Sequence, residues 1–354
     1  MPGSCSGRSA KRSHSYSSMD FSTSSATITD RRRKKCKCEP WSAASGNKLA
    51  ISDENAPILC TDIMESLDDY TAACPACDRS RYLIETDRDF TKAKRCGECF
   101  DICPACEGQS YTYIRDERGY EIARQCPVCG ALNRRIEAFN DASIPRRHCD
   151  ANLENFETSR RGPDGTKGAP IGNLNRVRFQ LYNWVKGFSP GEQGFLLHGN
   201  VGTGKTHLLA GTIRHLTLEK GISARFVEFT HLLSEIRQQF DQGRGEASIL
   251  APLIEHPVLA IDELGKGRNT EWQLSIIDEI ISKRYNRSLT TLFTTNYPLD
   301  KDEIPTGDAS TAKFQRAASA ATLRQRVGER VYSRLFDMTE FIAIEAPDYR
   351  RRQD

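Results

Sequence analysis

From residue 176 onward, short apolar runs alternate with segments whose apolar residues recur every three to four positions. The runs 195–198, 224–229, 258–261, 291–295 and 341–344 predict strands. Between them lie Leu208, Leu209, Ile213 and Leu216, then Leu232, Leu233, Ile236 and Phe240, then Trp272, Ile276, Ile277 and Ile280, each set at helical spacing. Strands alternating with amphipathic helices mean a parallel sheet covered by helices on both faces. The expected fold class for residues 176–354 is α/β.

Upstream the pattern changes. Residues 131–175 read as a connector ending in the loop Arg161-Gly-Pro-Asp-Gly-Thr-Lys-Gly168. Residues 70–130 are rich in cysteine, and residues 1–60 form a Ser-rich basic tail with scattered large apolar side chains. Such a tail buries too little surface to offset its ordering entropy, so it is expected to be disordered. Residues 1–40 hold nine Lys and Arg against three acids, a charge of +6; with +3 for the whole chain, the rest carries about −3. The run Arg31-Arg-Arg-Lys-Lys35 suits nucleic acid phosphates, or simply solvent. No apolar run approaches the roughly 18 residues that span a membrane, and no secretory leader opens the chain. A cytoplasmic protein without a membrane partner is expected.

The cysteines sharpen this. Of 13, eight fall in C-x-x-C pairs: Cys74 with Cys77, Cys96 with Cys99, Cys103 with Cys106 and Cys126 with Cys129. In a long chain without a leader such pairs point to metal and a reducing compartment. Each turn can place two thiolates on a tetrahedral Zn²⁺, and two turns close a Cys₄ site. Eighteen residues separate Cys77 from Cys96 and 19 separate Cys106 from Cys126, with strand-like Arg81-Tyr-Leu-Ile84 and Tyr111-Thr-Tyr-Ile114 inside. The near-equal gaps favour sequential pairing into two tandem zinc ribbons, holding about two structural zinc ions. An interleaved pairing, as in DnaJ-type modules, is the alternative. Cys149 has no partner at ligand spacing and reads as a free thiol.

The strongest chemical signal follows Phe195-Leu196-Leu197. Gly199, Asn200, Val201, Gly202, Thr203, Gly204, Lys205 and Thr206 fit G-x-x-x-x-G-K-[ST] in full, between a strand and a helix. Glycines there let backbone N–H groups converge on phosphates, Lys205 adds a cation, and the Thr206 hydroxyl suits Mg²⁺. ATP and Mg²⁺ are the expected ligands. Val258-Leu-Ala-Ile-Asp262-Glu263 is a strand ending in two acids, the first suited to Mg²⁺ and the second to polarising the attacking water. Leu292-Phe-Thr-Thr-Asn296 ends a strand on an amide that could orient that water. Gly328-Glu-Arg330-Val-Tyr-Ser-Arg334 sets two arginines four apart on one helix face.

In this order the elements resemble the AAA+ ATPases of the DnaC/IstB type, which include replicative helicase loaders and ATP-dependent helpers of some transposases. The likeness extends to Cys149-Asp-Ala-Asn-Leu-Glu-Asn-Phe156, Ile261-Asp-Glu-Leu-Gly265, Lys283-Arg-Tyr285, Thr294-Thr-Asn-Tyr-Pro-Leu299 and Gly328-Glu-Arg-Val-Tyr-Ser-Arg-Leu335, and covers roughly residues 145–350. It implies an AAA+ P-loop sheet in which Lys205, Thr206 and Asp262 hold phosphate and Mg²⁺ and Glu263 is the base. Asn296 becomes sensor 1, and Arg334, with Arg330 beside it, the arginine finger acting in trans within a homo-oligomer. Asp354 follows the last strand too soon for a C-terminal helical lid. The Ala-, Ser- and Thr-rich insert Asp308–Ala321 reads as a mobile loop. The implied function is ATP-driven loading of a replicative DNA helicase onto single-stranded DNA, the ribbons gripping the helicase. The alternatives are an IstB-like transposition helper and a zinc-ribbon DNA-binding adaptor with an ATP switch.

Overall fold

A computed structural model describes residues 74–99, 103, 105–127, 129–161, 167–299 and 321–351. The basic tail 1–60 and residues 308–320 of the insert lie outside these residues. The body is a parallel sheet of five strands: β7 (Gly194–Gly199), β8 (Ala224–Glu228), β9 (Val258–Asp262), β10 (Thr290–Thr295) and β11 (Thr339–Ile344), ordered β11-β7-β10-β9-β8. Every residue of β9 and β10 is buried, because helices cover both faces.

Adjacent residues feed opposite sides of the sheet. Phe195, Leu197, Val258, Ala260 and Leu292 join one apolar cluster; Leu196, Leu259, Ile261 and Phe293 join the other. The first cluster receives α2 (Leu174–Gly187) and α3 (Lys205–Leu218). The second receives α4 (Phe229–Asp241), α5 (Glu246–Glu255), α6 (Glu271–Asn286), α7 (Leu323–Val327) and α8 (Glu329–Met338). Capping boxes start two of these: Thr270 with Gln273 for α6 and Thr322 with Gln325 for α7. Arg284 of α6 is fully buried, donating to Thr291 Oγ1 (2.9 Å) and to the carbonyls of Thr290 (2.6 Å), Leu253 (2.9 Å) and His256 (2.8 Å). One guanidinium thus ties the start of β10 to the end of α5.

The cysteine block forms two antiparallel hairpins, β1 (Tyr82–Asp87) with β2 (Phe90–Arg95) and β3 (Tyr111–Arg115) with β4 (Glu121–Gln125). The stretch read as a connector is part of the body. It carries α1 (Gly130–Asp141), whose Leu132, Ile136 and Phe139 enter the first cluster, and the short ribbon β5 (Ser159–Arg161) with β6 (Lys167–Pro170). Those three apolar residues stand at helical spacing, but polar neighbours dilute the signal. Helix α1 grows out of the last cysteine turn, with Asn133 N–H donating to the Cys129 carbonyl.

The two hairpins differ in surroundings. Tyr82 and Ala93 of the first belong to the body's cluster. Asn140 of α1 clasps Ala93 by donating to its carbonyl (3.0 Å) and accepting from its N–H (2.7 Å), and Thr91 N–H donates to the Ile144 carbonyl (2.8 Å). The second hairpin exposes Tyr111, Tyr113, Ile114 and Ile122. Among the described residues no helix is long and apolar enough to cross a membrane.

Candidate nucleotide-binding site and thiol clusters

The loop Gly199–Thr206 leaves β7 at its C-terminal end and runs into the N-terminus of α3, where the helix dipole and free N–H groups favour an anion. Gly202 (φ +79°) and Gly204 (φ +93°) hold left-handed backbone. A side chain at Gly202 would run into the Asp348 carboxylate, and one at Gly204 would meet the Phe156 ring at 2.6 Å. Both positions therefore require glycine on grounds of strain and of space. Tyr349 N–H donates to the Gly202 carbonyl (2.9 Å), so the segment after β11 lies against the loop.

Lys205 Nζ donates to the carbonyls of Gly199 (2.8 Å) and Asn200 (2.6 Å), groups that hold its ammonium within the loop. Burial lowers its pKa to about 8, although Asp262 and Glu263 pull it upward. The Thr206 hydroxyl faces both oxygens of Asp262 at 3.1 Å, and Thr294 Oγ1 donates to Asp262 Oδ1 at 2.6 Å. Burial pushes the Asp262 carboxyl up to about 6, against the hydroxyls of Thr294 and Thr206, which stabilise its charge. A hydroxyl and a carboxylate converging under a phosphate loop are hard oxygen donors, the set that suits Mg²⁺.

Glu263 adopts φ +57°, and its N–H donates to Thr294 Oγ1 (3.0 Å). Its carboxylate pairs with Lys266, whose ammonium also reaches Glu228 at 3.5 Å. Asn296 follows β10 on the exposed rim. Arg334 is half-buried on α8 and bonds Asp278 Oδ1 of α6 at 3.3 Å, whereas Arg330, one turn earlier, is exposed. The structure thus gathers Lys205, Thr206 and Asp262 with Glu263 beside them, and sets the two arginines on a separate helix.

Thr294, Lys266, Glu228 and Arg326 had no role in the sequence reading, and neither did Phe156. Thr294 and Phe156 lay within resemblance motifs; Lys266 lay three residues from Glu263 and carried no signal of its own. Arg326 Nε donates to the Gly265 carbonyl (2.7 Å), and its other guanidinium nitrogen bonds the Gly267 carbonyl.

The thiols settle the pairing question. The sulfurs of Cys74, Cys77, Cys96 and Cys99 lie within 4.8 Å of one another, and so do those of Cys103, Cys106, Cys126 and Cys129. Pairing is therefore sequential. A tetrahedron of thiolates at a Zn–S distance of about 2.3 Å has sulfurs about 3.8 Å apart. Cys74–Cys96 (3.9 Å), Cys103–Cys126 (3.7 Å) and Cys106–Cys129 (3.6 Å) match that spacing, and Cys77–Cys99 (3.1 Å) is tighter. Both donor sets fit a closed structural zinc site. Cys149 is disulfide-bonded, not the free thiol its spacing suggested.

Comparison with known proteins adds a lineage to this geometry. Residues 185–318 match the family model described as IstB-like ATP binding protein. The replicative helicase loader DnaC of Escherichia coli K12 is 26% identical over 164 residues, 46% of this chain and 62% of that protein. The chain thus spans about three fifths of that relative's length. A second protein of Escherichia coli K12, the uncharacterized protein YdaV, is 30% identical over 204 residues, covering 55% of this chain and 77% of its own length. Among solved structures, a DnaC helicase loader superposes with a TM-score of 0.44 at 28% identity, covering 56% of this chain and 99% of that one. A DnaI structure gives 0.40 at 23% identity over 58% of this chain and 93% of its own.

Proposed function

We propose, from the premise that this chain belongs to the AAA+ ATPases of the DnaC/IstB type, that it hydrolyses ATP to load a replicative DNA helicase onto single-stranded DNA. The observation that carries the ATPase reading is the cluster of Thr206, Asp262 and Thr294 beneath the phosphate loop, with Glu263 next in the chain. Lys205 exchanges its loop carbonyls for the β- and γ-phosphates, and the N–H groups at the start of α3 complete the cradle. Thr206 and Asp262 would hold Mg²⁺, which draws charge from the phosphates as the γ-phosphoryl group leaves. Glu263 takes the proton of the attacking water, and Asn296 orients that water. Arg334, with Arg330 beside it, reaches the phosphates of a neighbouring copy, so hydrolysis needs a homo-oligomer.

The loader half of the proposal draws on the likeness to the loader DnaC and on the two Cys₄ clusters ahead of the ATPase. The protein then works in the cytoplasm with the helicase and single-stranded DNA as partners. The test is capture of a purified hexameric replicative helicase by the full zinc-loaded chain with ATP, alongside steady-state ATPase. Glu263→Gln should bind ATP as tightly as the wild type and lose turnover at least a hundredfold, since an amide cannot accept the proton. Capture of a transposase with no affinity for the helicase would replace the loader with the transposition helper. Binding of duplex DNA alone, with ATP bound and not hydrolysed, would favour the adaptor.

A further inference from the structure

We infer that Lys266 is a positioning residue that tethers Glu263 to Glu228 when no nucleotide is bound, so that each turnover must release the base from it. This rests on Glu263 being the base. Lys266 Nζ contacts the Glu263 carboxylate and lies 3.5 Å from Glu228 Oε1. Glu228 ends β8 directly opposite Asp262 of β9, so it is fixed by the sheet. Lys266 belongs to the same turn as Glu263, with its N–H donating to the Glu263 carbonyl at 3.1 Å. Without an outside anchor the lysine would simply follow the glutamate; Glu228 supplies the anchor.

The turn itself is confined. Glu263 (φ +57°), Gly265 (φ +85°) and Gly267 (φ +122°) all sit at positive φ, and Arg326 grips the carbonyls of Gly265 and Gly267 from α7. The freedom left to Glu263 is mainly that of its side chain, so the partner of its carboxylate decides where it points. A carboxylate engaged by an ammonium is a poorer proton acceptor than a free one, and it points at the lysine instead of at water. The neighbouring Asp262 carboxylate disfavours a second negative charge nearby, and Lys266 offsets that repulsion in the resting state. The lysine is about half exposed and Glu263 less so, with relative side-chain exposures of 51% and 29%. Such a pair holds with modest strength, and its release slows turnover about two- to fivefold.

Steady-state ATPase of the full zinc-loaded chain tests this. Lys266→Met should raise kcat about two- to fivefold with KM for ATP unchanged, and Lys266→Arg, which keeps the cation, should stay near the wild-type kcat. Adding Glu228→Gln to Lys266→Met should change nothing further, because Glu228 acts through the lysine. A Lys266→Met enzyme with kcat equal to or below the wild type, or with only KM altered, overturns the tether. The control is Glu263→Gln: if it turns over at the wild-type rate, the base assignment fails and takes the tether with it. If it is inactive while Lys266→Met matches the wild type, the tether alone falls.

Discussion

Lys205 shows how burial prepares a side chain for a ligand of opposite charge. Its ordinary pKa of 10.5 drops to about 8 within the loop, so above pH 8 the nucleotide-free protein increasingly presents a neutral amine. Phosphate binding restores the charge and takes up a proton. ATP affinity should therefore fall as pH rises from 8 toward 10, with proton uptake visible when calorimetry is repeated in buffers of different ionisation enthalpy. The stability term has the opposite sign. Between pH 8 and 10.5 the unfolded chain binds more protons at this site than the folded one, so this group's contribution to stability increases with pH. Pure loss of ATP affinity with no proton uptake would mean that Lys205 stays charged in the free loop. Lys205→Ala should abolish ATP binding outright, because it removes the cation that the loop aims at the phosphates.

At the scale of elements, the first zinc hairpin is a structural part of the ATPase body, through Tyr82, Ala93 and the Asn140 clasp. Purified chain should carry two zinc ions, four thiolates for each. Cys96→Ser should lose one ion and lower the melting temperature of the ATPase body by on the order of 5 °C, as apolar contacts of the docked hairpin are lost. Cys126→Ser should lose the other ion with a smaller shift, because the hairpin it supports is exposed. Equal shifts would show that docking of the first hairpin contributes nothing. The sheet strands were legible in the sequence because their buried runs are unbroken, and the phosphate loop because its glycines and Lys205 have one physical use. Helix α1 was not, since Arg134, Arg135 and Glu137 interrupt its apolar face. The Lys266 pairs were not, since a loop lysine acquires meaning only when folding brings Glu228 beside it.

For the whole molecule the open question is how copies meet. Arg334 is held by Asp278 of its own chain, which keeps the guanidinium extended along α6 in the separate protein. Were it the trans arginine, Arg334→Ala chains mixed with Lys205→Ala chains should recover part of the ATPase activity that neither has alone, since each supplies what the other lacks. Absence of recovery in chains shown by light scattering to co-assemble would confine Arg334 to its ion pair with Asp278. Activity per chain should also rise with protein concentration, and a flat dependence would argue against a shared site.

The strand order has a consequence for synthesis on the ribosome. β7, which carries the phosphate loop, pairs with β10 and β11 and with neither of the strands made just after it. When β7, β8 and β9 have emerged, only the last two can zip together, and Phe195, Leu196 and Leu197 must wait for Thr290 and the residues beyond. The zinc hairpins, by contrast, can close on metal as soon as each fourth cysteine appears. The nascent chain thus has a finished N-terminal end and an unfinished middle for much of its translation, the interval in which exposed strand edges invite misassembly. Its nucleotide site closes only when the final strand slides in along β7, so ATP binding by the emerging chain would mark the end of its synthesis.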